Sequence, residues 1–433
     1  MSTQLKIVET IDGYVITWGD PYNIRARVSR LRTAGDGQVK GELEISQGEG
    51  PDERILVVPT QFNFSSERTR VSFAKDLKAK LSQEIEWKEV FDGLALTVQG
   101  LVRRGEDCVE VYPDDEIVAP EQLVYGLIYK GVQNIIFGEK GVNKSTLAYM
   151  LGIICTLPWY DNPLGLRAPD RPIKVLVLDW ETDLRLFRYY MTRLHLGMNI
   201  PACSLHYRRC IAPLADDIAP IQHKIETTGA EILIIDSLGA AAGGERGELK
   251  GEESALSFNR GLWKLRTTKG EPLTSLIIGQ TAKGKEKGKS KSVFGSAFFT
   301  YYSRNIFELA LGDYDYSDTL HLALFHRECN LGRKLPPIGI RVKYDDDTKA
   351  LAMSRETPML SDYSDRVGLN ARICEHLKKG KARPKDMKEE LDVSYAALSM
   401  ALKRLMQQGK VYKQDKDYVL AHPDETRDFQ RHE

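Results

Sequence analysis

With 433 residues, 42% of them hydrophobic, the chain can bury sizeable cores in roughly two to four domains. Its 61 Lys and Arg balance 61 Asp and Glu, so overall charge selects no partner and any nucleic-acid argument must rest on local clusters. The apolar runs are far too short to span a bilayer, and six scattered cysteines (Cys108, Cys155, Cys203, Cys210, Cys329, Cys374) form no CxxC pair, which argues against a zinc ribbon or a disulfide framework. The opening MSTQLKIVETIDGY has no apolar stretch behind a basic start and does not read as a signal peptide, so a cytoplasmic, reducing location is expected.

In chain order, residues 1–118 read as a strand-rich α+β module. Val15 and Ile16 lie in a short apolar run, Arg25 to Ser46 alternates and breaks at Ala34-Gly-Asp-Gly37 like a hairpin, and Ile55 to Val58 is a further strand. A helix is expected over 71–81. Arg25, Arg27, Arg30 and Arg32 make one strand basic, either as a solvated face or as a surface for nucleic acid or a partner. After a linker at Ala119-Pro-Glu, residues 122–355 alternate apolar strands (134–137, 173–178, 232–235, 274–278) with helices (145–157, 183–196, 253–266), the pattern of a parallel α/β sheet. More closely spaced strands follow at 305–310, 319–325 and 338–342. Thr357 to Ser364 reads as a second linker. Residues 365–421 then give three helices and a hairpin, an order that looks like a winged helix. The first helix, 366–379, carries Val367, Leu369, Ile373 and Leu377 along one side. Pro384 starts the second and Ser394 caps the third. Residues 422–433 are a polar tail.

The strand, loop and helix at 134–157 carry Gly138-Glu139-Lys140-Gly141-Val142-Asn143-Lys144-Ser145-Thr146. A P-loop needs successive backbone N–H groups to cradle phosphate, a lysine for the terminal phosphates and a hydroxyl for magnesium, in the pattern GxxxxGK[ST]. Gly138, Lys144 and Ser145 stand at that spacing, after a strand and before a helix, so ATP with Mg2+ is the expected ligand. Asn143 replaces the second glycine. Asn is among the residues that best tolerate a left-handed backbone, so the loop can close, while its hydrolysis rate stays open. Two further strands end in carboxylates, Ile232-Leu-Ile-Ile-Asp236 and Lys174-Val-Leu-Val-Leu-Asp179-Trp180-Glu181. Both acids belong at strand C-termini, on the crevice side of an open α/β sheet. Asp236 suits a place behind magnesium, and Glu181 is expected to orient the attacking water, with Asp179 the other candidate. Asp179 and Glu181 share a face if the pleat persists, and either could instead cap the helix near Asp183.

These motifs, with Ile277-Ile278-Gly279-Gln280, resemble the RecA-like ATPase core and, within it, the RepA-type hexameric replicative helicases of plasmids and phages, over about residues 122–355. The resemblance implies Lys144 and Ser145 at the phosphate and magnesium positions, Glu181 as catalytic glutamate and Asp236 as the Walker B aspartate. It implies Gln280 as the sensor that reports the γ-phosphate to DNA-binding loops. Gly295 to Phe299, followed by Arg304, resembles the segment after such a loop. His326 to Arg333 resembles the late-strand motif whose basic residues reach a neighbour's nucleotide. Arg327 is the implied finger, with Arg333 and Lys334 as alternatives because Glu328 stands where the family carries a basic residue. A homo-oligomeric ring, a hexamer with ATP between subunits, follows from the resemblance.

For DNA, Lys283, Lys285, Lys287, Lys289 and Lys291 follow Gln280 directly, among glycines. They match a phosphate backbone electrostatically or form a solvated loop. Gly243 to Gly251, of mixed charge, is a second flexible loop. In the C-terminal module the third helix is expected to expose Tyr395, Ser399, Lys403 and Arg404 to duplex DNA, with Leu398, Met400, Leu402 and Leu405 supplying apolar contacts and Lys413 and Lys416 on the wing. Such modules also dock proteins. The combined expectation is a DNA-dependent ATPase, a ring-forming helicase or translocase with no membrane association. The alternative is a non-translocating ATP switch that binds duplex DNA and recruits a partner in recombination, transposition or defence. A third reading is a variant loop that binds nucleotide without turnover.

Overall fold

The computed structural model describes residues 5–421 except 21, 49, 81–84, 106–107, 114–115, 202, 244–250, 282–297, 313–316 and 364–365. The chain divides into two units, Met1–Ala119 with Asp217–His223, and Pro120–Asp216 with Lys224–Glu433.

In the first unit, β1 (Leu5–Thr10), β2 (Gly13–Trp18), β3 (Ile24–Thr33), β4 (Val39–Gln47) and β5 (Arg54–Asn63) form an antiparallel meander in sequence order. Alternation builds it: Ile24, Ala26 and Val28 of β3 are fully buried, and Arg25 and Arg27 point the other way. Arg25 pairs with Glu53 at 3.2 Å and Arg30 with Glu42 at 3.0 Å, which fits a solvated face. The expected hairpin turns where Gly37 N–H donates to the Ala34 carbonyl at 2.9 Å. α1 (Glu67–Lys80) begins before the expected Val71. α2 (Trp87–Arg104) is not among the expected elements, although Trp87, Val90, Phe91, Leu94, Ala95 and Val98 recur at helical spacing and are its buried residues. Phe91 stacks on Phe62 of β5, ring centroids 5.6 Å apart.

The second unit opens with the hairpin β6 (Gln122–Val124) and β7 (Ile128–Tyr129). It continues through β8 (Gln133–Gly138), α3 (Lys144–Thr156), β9 (Val175–Asp179), α4 (Leu184–Met198), β10 (His206–Arg209) and α5 (Ile218–Thr228), whose first residues group with the other unit. Then come β11 (Ile232–Asp236), α6 (Leu238–Ala241), α7 (Gly251–Lys264), β12 (Thr274–Gln280), α8 (Phe298–Tyr302), β13 (Asn305–Leu311), β14 (Thr319–Cys329), β15 (Ile338–Tyr344) and β16 (Leu351–Glu356). Among the described residues these make a nine-stranded sheet in the order β10-β9-β11-β12-β8-β13-β14-β15-β16. Neighbours from β10 to β13 are parallel, and from β13 to β16 antiparallel. β9 and β11 are buried throughout, which is why both read as unbroken apolar runs. α3 is buried from Thr146 to Cys155 and forms the centre of the core. The polar edge strand β10, α5 and the edge strand β16 are not among the expected elements. The strand order brings the C-terminal ends of β8, β12, β11 and β9 to one edge, where open α/β sheets bind ligands.

The expected linker after β16 is instead packed. A 3₁₀ turn at Leu360–Tyr363 sets Tyr363, 2% exposed, against Phe325 of β14 with ring centroids 5.5 Å apart. Its hydroxyl donates to the His321 carbonyl at 3.0 Å. Val367 packs on this same cluster rather than on the first helix of the C-terminal module. That module comprises α9 (Leu369–Lys378), α10 (Pro384–Glu390), α11 (Tyr395–Gln407) and the hairpin β17 (Val411–Gln414) and β18 (Asp417–Leu420). Ile373, Leu377, Met387, Leu398, Leu402 and Leu405 form its core. Pro384 is the first residue of α10, and Ser394 caps α11 by accepting from Ala397 N–H at 3.2 Å. Met400, expected to supply an apolar contact with Leu398, Leu402 and Leu405, is 57% exposed, because the buried helical stripe from Leu398 runs through Ala401 and Leu402. The tail at 422–433 lies outside the described residues. No described helix is long and apolar enough to cross a membrane.

Candidate nucleotide-binding site

β8 enters the site between β12 and β13 and ends at Gly138. A Cβ there would lie 2.3 Å from the Leu309 carbonyl oxygen of β13, so no side chain fits. The loop then turns through two left-handed residues, Gly141 at φ +85° and Asn143 at φ +59°. Asn143 thus takes a backbone conformation that other side chains resist. Its amide also donates to the Tyr344 hydroxyl at the end of β15, at 2.7 Å, a bond that glycine could not make. Lys144 opens α3, is 9% exposed, and its ammonium donates to the Glu139 carbonyl at 2.5 Å. Burial lowers the pKa of this ammonium, and the nearby carboxylates of Asp236, Glu181 and Glu139 oppose that shift. Of the other loop residues, Val142 and Thr146 are buried, while Glu139 and Lys140 are exposed.

The two carboxylate strands lie side by side, with Asp179 paired to Asp236 in register and Trp180 N–H donating to the Asp236 carbonyl at 2.7 Å. Asp236 is 3% exposed. Tyr149 of α3 donates to its carboxylate at 3.1 Å, and the Ser145 hydroxyl, one turn earlier, lies close enough to favour its ionised form. Burial pushes its pKa up to about 6, with the charges of Glu181 and Asp179 adding to the rise and both hydroxyls opposing it. A hydroxyl beside a carboxylate that burial strains is a donor set that a cation would relieve, so Ser145 with Asp236 fits magnesium. Among the described residues no group of three or more His, Cys, Asp or Glu forms a metal cage.

Asp179 and Glu181 have different surroundings. Asp179 is fully buried and accepts from Glu181 N–H and Thr182 N–H, each at 2.9 Å, from the Thr182 hydroxyl, and from the Tyr207 hydroxyl at 3.1 Å. Its carboxylate is spent on shaping the turn after β9. Glu181 is exposed and accepts from the Ser237 hydroxyl just beyond β11. Neither caps the next helix; Asp183 does, accepting from Leu186 N–H at 2.9 Å. Lys144, Ser145, Asp236 and Glu181 therefore converge on one edge of the sheet.

The other expected site residues fall elsewhere. Gln280 ends β12 opposite Gly138 and is exposed. The five lysines from Lys283 to Lys291, and most of the second loop at 243–251, lie outside the described residues. Arg327, on β14, is held within its own chain. Its Nε donates to Glu308 at 2.8 Å, its Nη1 to the Arg366 carbonyl at 3.1 Å, and its guanidinium lies over the Phe325 ring. Arg333 and Lys334 are exposed, as are Lys403 and Arg404 on α11. Sequence reasoning overlooked Tyr149, Ser237 and Tyr344. Tyr149 was open to inference, since it stands four residues after Ser145 on the same helix face. Nothing local marks Tyr344, which is 201 residues from Asn143.

Residues 112–286 match the model of a family described as AAA domain. That segment contains the loop, both carboxylate strands and β12, and the match supports a nucleotide-hydrolysing P-loop domain there. No curated protein matches the chain. Among solved structures, a KaiC-like protein from the hyperthermophilic archaeon Pyrococcus horikoshii OT3 is similar at 14% identity, with a TM-score of 0.36, over 54% of this chain and 94% of that one.

Proposed function

We propose that this chain hydrolyses ATP at the 138–146 loop and uses the energy to move along DNA, as a ring-forming RecA-like helicase or translocase. The convergence of Lys144, Ser145, Asp236 and Glu181 on one sheet edge carries the ATP part. In this reading the phosphates lie over the N-terminus of α3, where backbone N–H groups and the helix dipole favour anions. Lys144 exchanges the Glu139 carbonyl for a phosphate oxygen. Ser237 engages one oxygen of Glu181, and the other orients a water in line with the γ-phosphate. Magnesium, held by Ser145 with Asp236 behind it, would neutralise charge on the phosphate oxygens.

The DNA part rests on sequence. Gln280 leads straight into the 283–291 lysines, which suit a strand backbone by charge. The C-terminal module is assigned as a winged helix, with Lys403 and Arg404 toward duplex DNA. The ring is supported by the family resemblance, and Arg333 or Lys334 serves better than Arg327 as the residue that reaches a neighbour's nucleotide. The engagement of Arg327 by Glu308 favours a second reading, a non-translocating switch that binds duplex DNA. ATP turnover with single-stranded and with duplex DNA, beside a strand-displacement assay, separates the two. Stimulation by single strands with displacement supports the first. Stimulation by duplex alone without displacement supports the second, and DNA-independent turnover sinks both. Neutralising the five lysines should lower single-strand affinity and flatten its salt dependence.

A further inference from the structure

We propose that Arg366 positions the phosphate-binding loop by holding Glu139. This rests on the ATP-binding reading of that loop. Arg366 lies in the packed segment just before α9, and its side chain is 8% exposed. The guanidinium bridges two carboxylates: Nε stands 2.9 Å from Glu308 Oε1, and Nη2 donates to Glu139 Oε1 at 2.9 Å. Glu308, on β13, is 1% exposed, and its second oxygen takes Arg327. Arg327 in turn donates to the Arg366 carbonyl at 3.1 Å. Two carboxylates and two guanidinium groups thus form a connected net without net charge, anchored on the strand whose Leu309 carbonyl forces glycine at 138.

The anchoring decides what the outer pair can do. A free arginine on an exposed glutamate contributes little, because both side chains lose freedom to meet. Here the Glu308 carboxylate, too buried to stand unpaired, has already fixed the guanidinium. Glu139, half-exposed, therefore meets a donor that is already in place. Glu139 is also the residue whose carbonyl accepts from the Lys144 ammonium. Held by its side chain and engaged at its carbonyl, it fixes the first step of the loop after Gly138. Arg366 is a positioning residue and touches no reacting atom.

The test is a double-mutant cycle in the full chain, read by the affinity for a fluorescent ATP analogue and by steady-state KM and kcat. Arg366→Gln should weaken nucleotide binding about three- to tenfold and raise KM more than it lowers kcat. Arg366→Lys should recover part of the loss. Glu139→Ala, which leaves the Arg366–Glu308 pair intact, should weaken binding to a similar degree. Adding Arg366→Gln to Glu139→Ala should then cost nothing more. An equal further loss in the double variant, or wild-type affinity in Glu139→Ala, would overturn the proposal, and the second result stands even where Arg366→Gln fails to fold. If the wild-type chain binds no analogue, the ATP reading fails and takes this proposal with it, an outcome distinct from additivity.

Discussion

Replacing Asn143 by alanine and by glycine separates the two contributions of its side chain. Asn143 holds a left-handed backbone and donates to Tyr344 at 2.7 Å. Alanine loses the hydrogen bond, about 1 kcal/mol, and pays roughly 1 kcal/mol more than asparagine for the left-handed conformation. Glycine loses the same bond and accepts the conformation freely, but it adds about 0.5–1 kcal/mol of unfolded-state entropy, which offsets much of that gain. The expected destabilisation is therefore about 2 kcal/mol for Asn143→Ala and about 1 kcal/mol for Asn143→Gly. Urea unfolding of the full chain measures the difference. Nucleotide affinity should follow the same order, since the loop must hold its shape to cradle phosphate. An alanine variant as stable as the glycine variant would refute the left-handed assignment at this position.

Asp179→Ala, which strips the acceptor from four donors at the turn after β9, should lower stability by about 3 kcal/mol or more, while Glu181→Ala, at an exposed residue, should stay within about 1 kcal/mol. Equal melting of both variants would remove the distinction between a carboxylate that shapes the turn and one proposed to act on the nucleotide. His326 is buried, accepts Leu335 N–H at Nδ1 and faces Asn305 Oδ1 through Nε2, and burial, with Lys334 adding, pushes its pKa down to about 4. The unfolded chain then binds the proton first, so stability is full above about pH 6.5 and falls on the order of 3 kcal/mol as the pH drops toward 4. Urea midpoints between pH 4.5 and 7.5 should show this slope in the wild type and not in His326→Gln, and identical slopes would count against a neutral buried imidazole.

The parallel half of the sheet was legible because β8, β9, β11 and β12 are buried on both faces and read as apolar runs ending at Gly138, Asp179, Asp236 and Gln280. β10 was not legible: His206-Tyr-Arg-Arg sits at an edge and has no need to be apolar. The Thr357–Ser364 segment reads as a linker by composition, yet Tyr363 finds a pocket on β14, a contact that no local pattern announces. At the site, motif spacing pointed to Lys144 and Ser145, and apolar strands running into carboxylates pointed to Asp236 and Glu181. What separates Glu181 from Asp179 is partly local and partly tertiary: the adjoining turn and the distant Tyr207 claim Asp179, and Ser237 holds Glu181. The side-chain partners of Asn143 and Glu139 come from residues about 200 positions away or more, beyond the reach of any motif.

The most direct test of the account is Mg2+-dependent ATP hydrolysis by Glu181→Gln beside the wild-type chain, with nucleotide affinity measured on both. Turnover is expected in the wild type, with a loss of about 10²–10⁴-fold in kcat for the variant and an affinity within a fewfold of wild type. Intact turnover in Glu181→Gln, or affinity lost in step with kcat, would contradict the account.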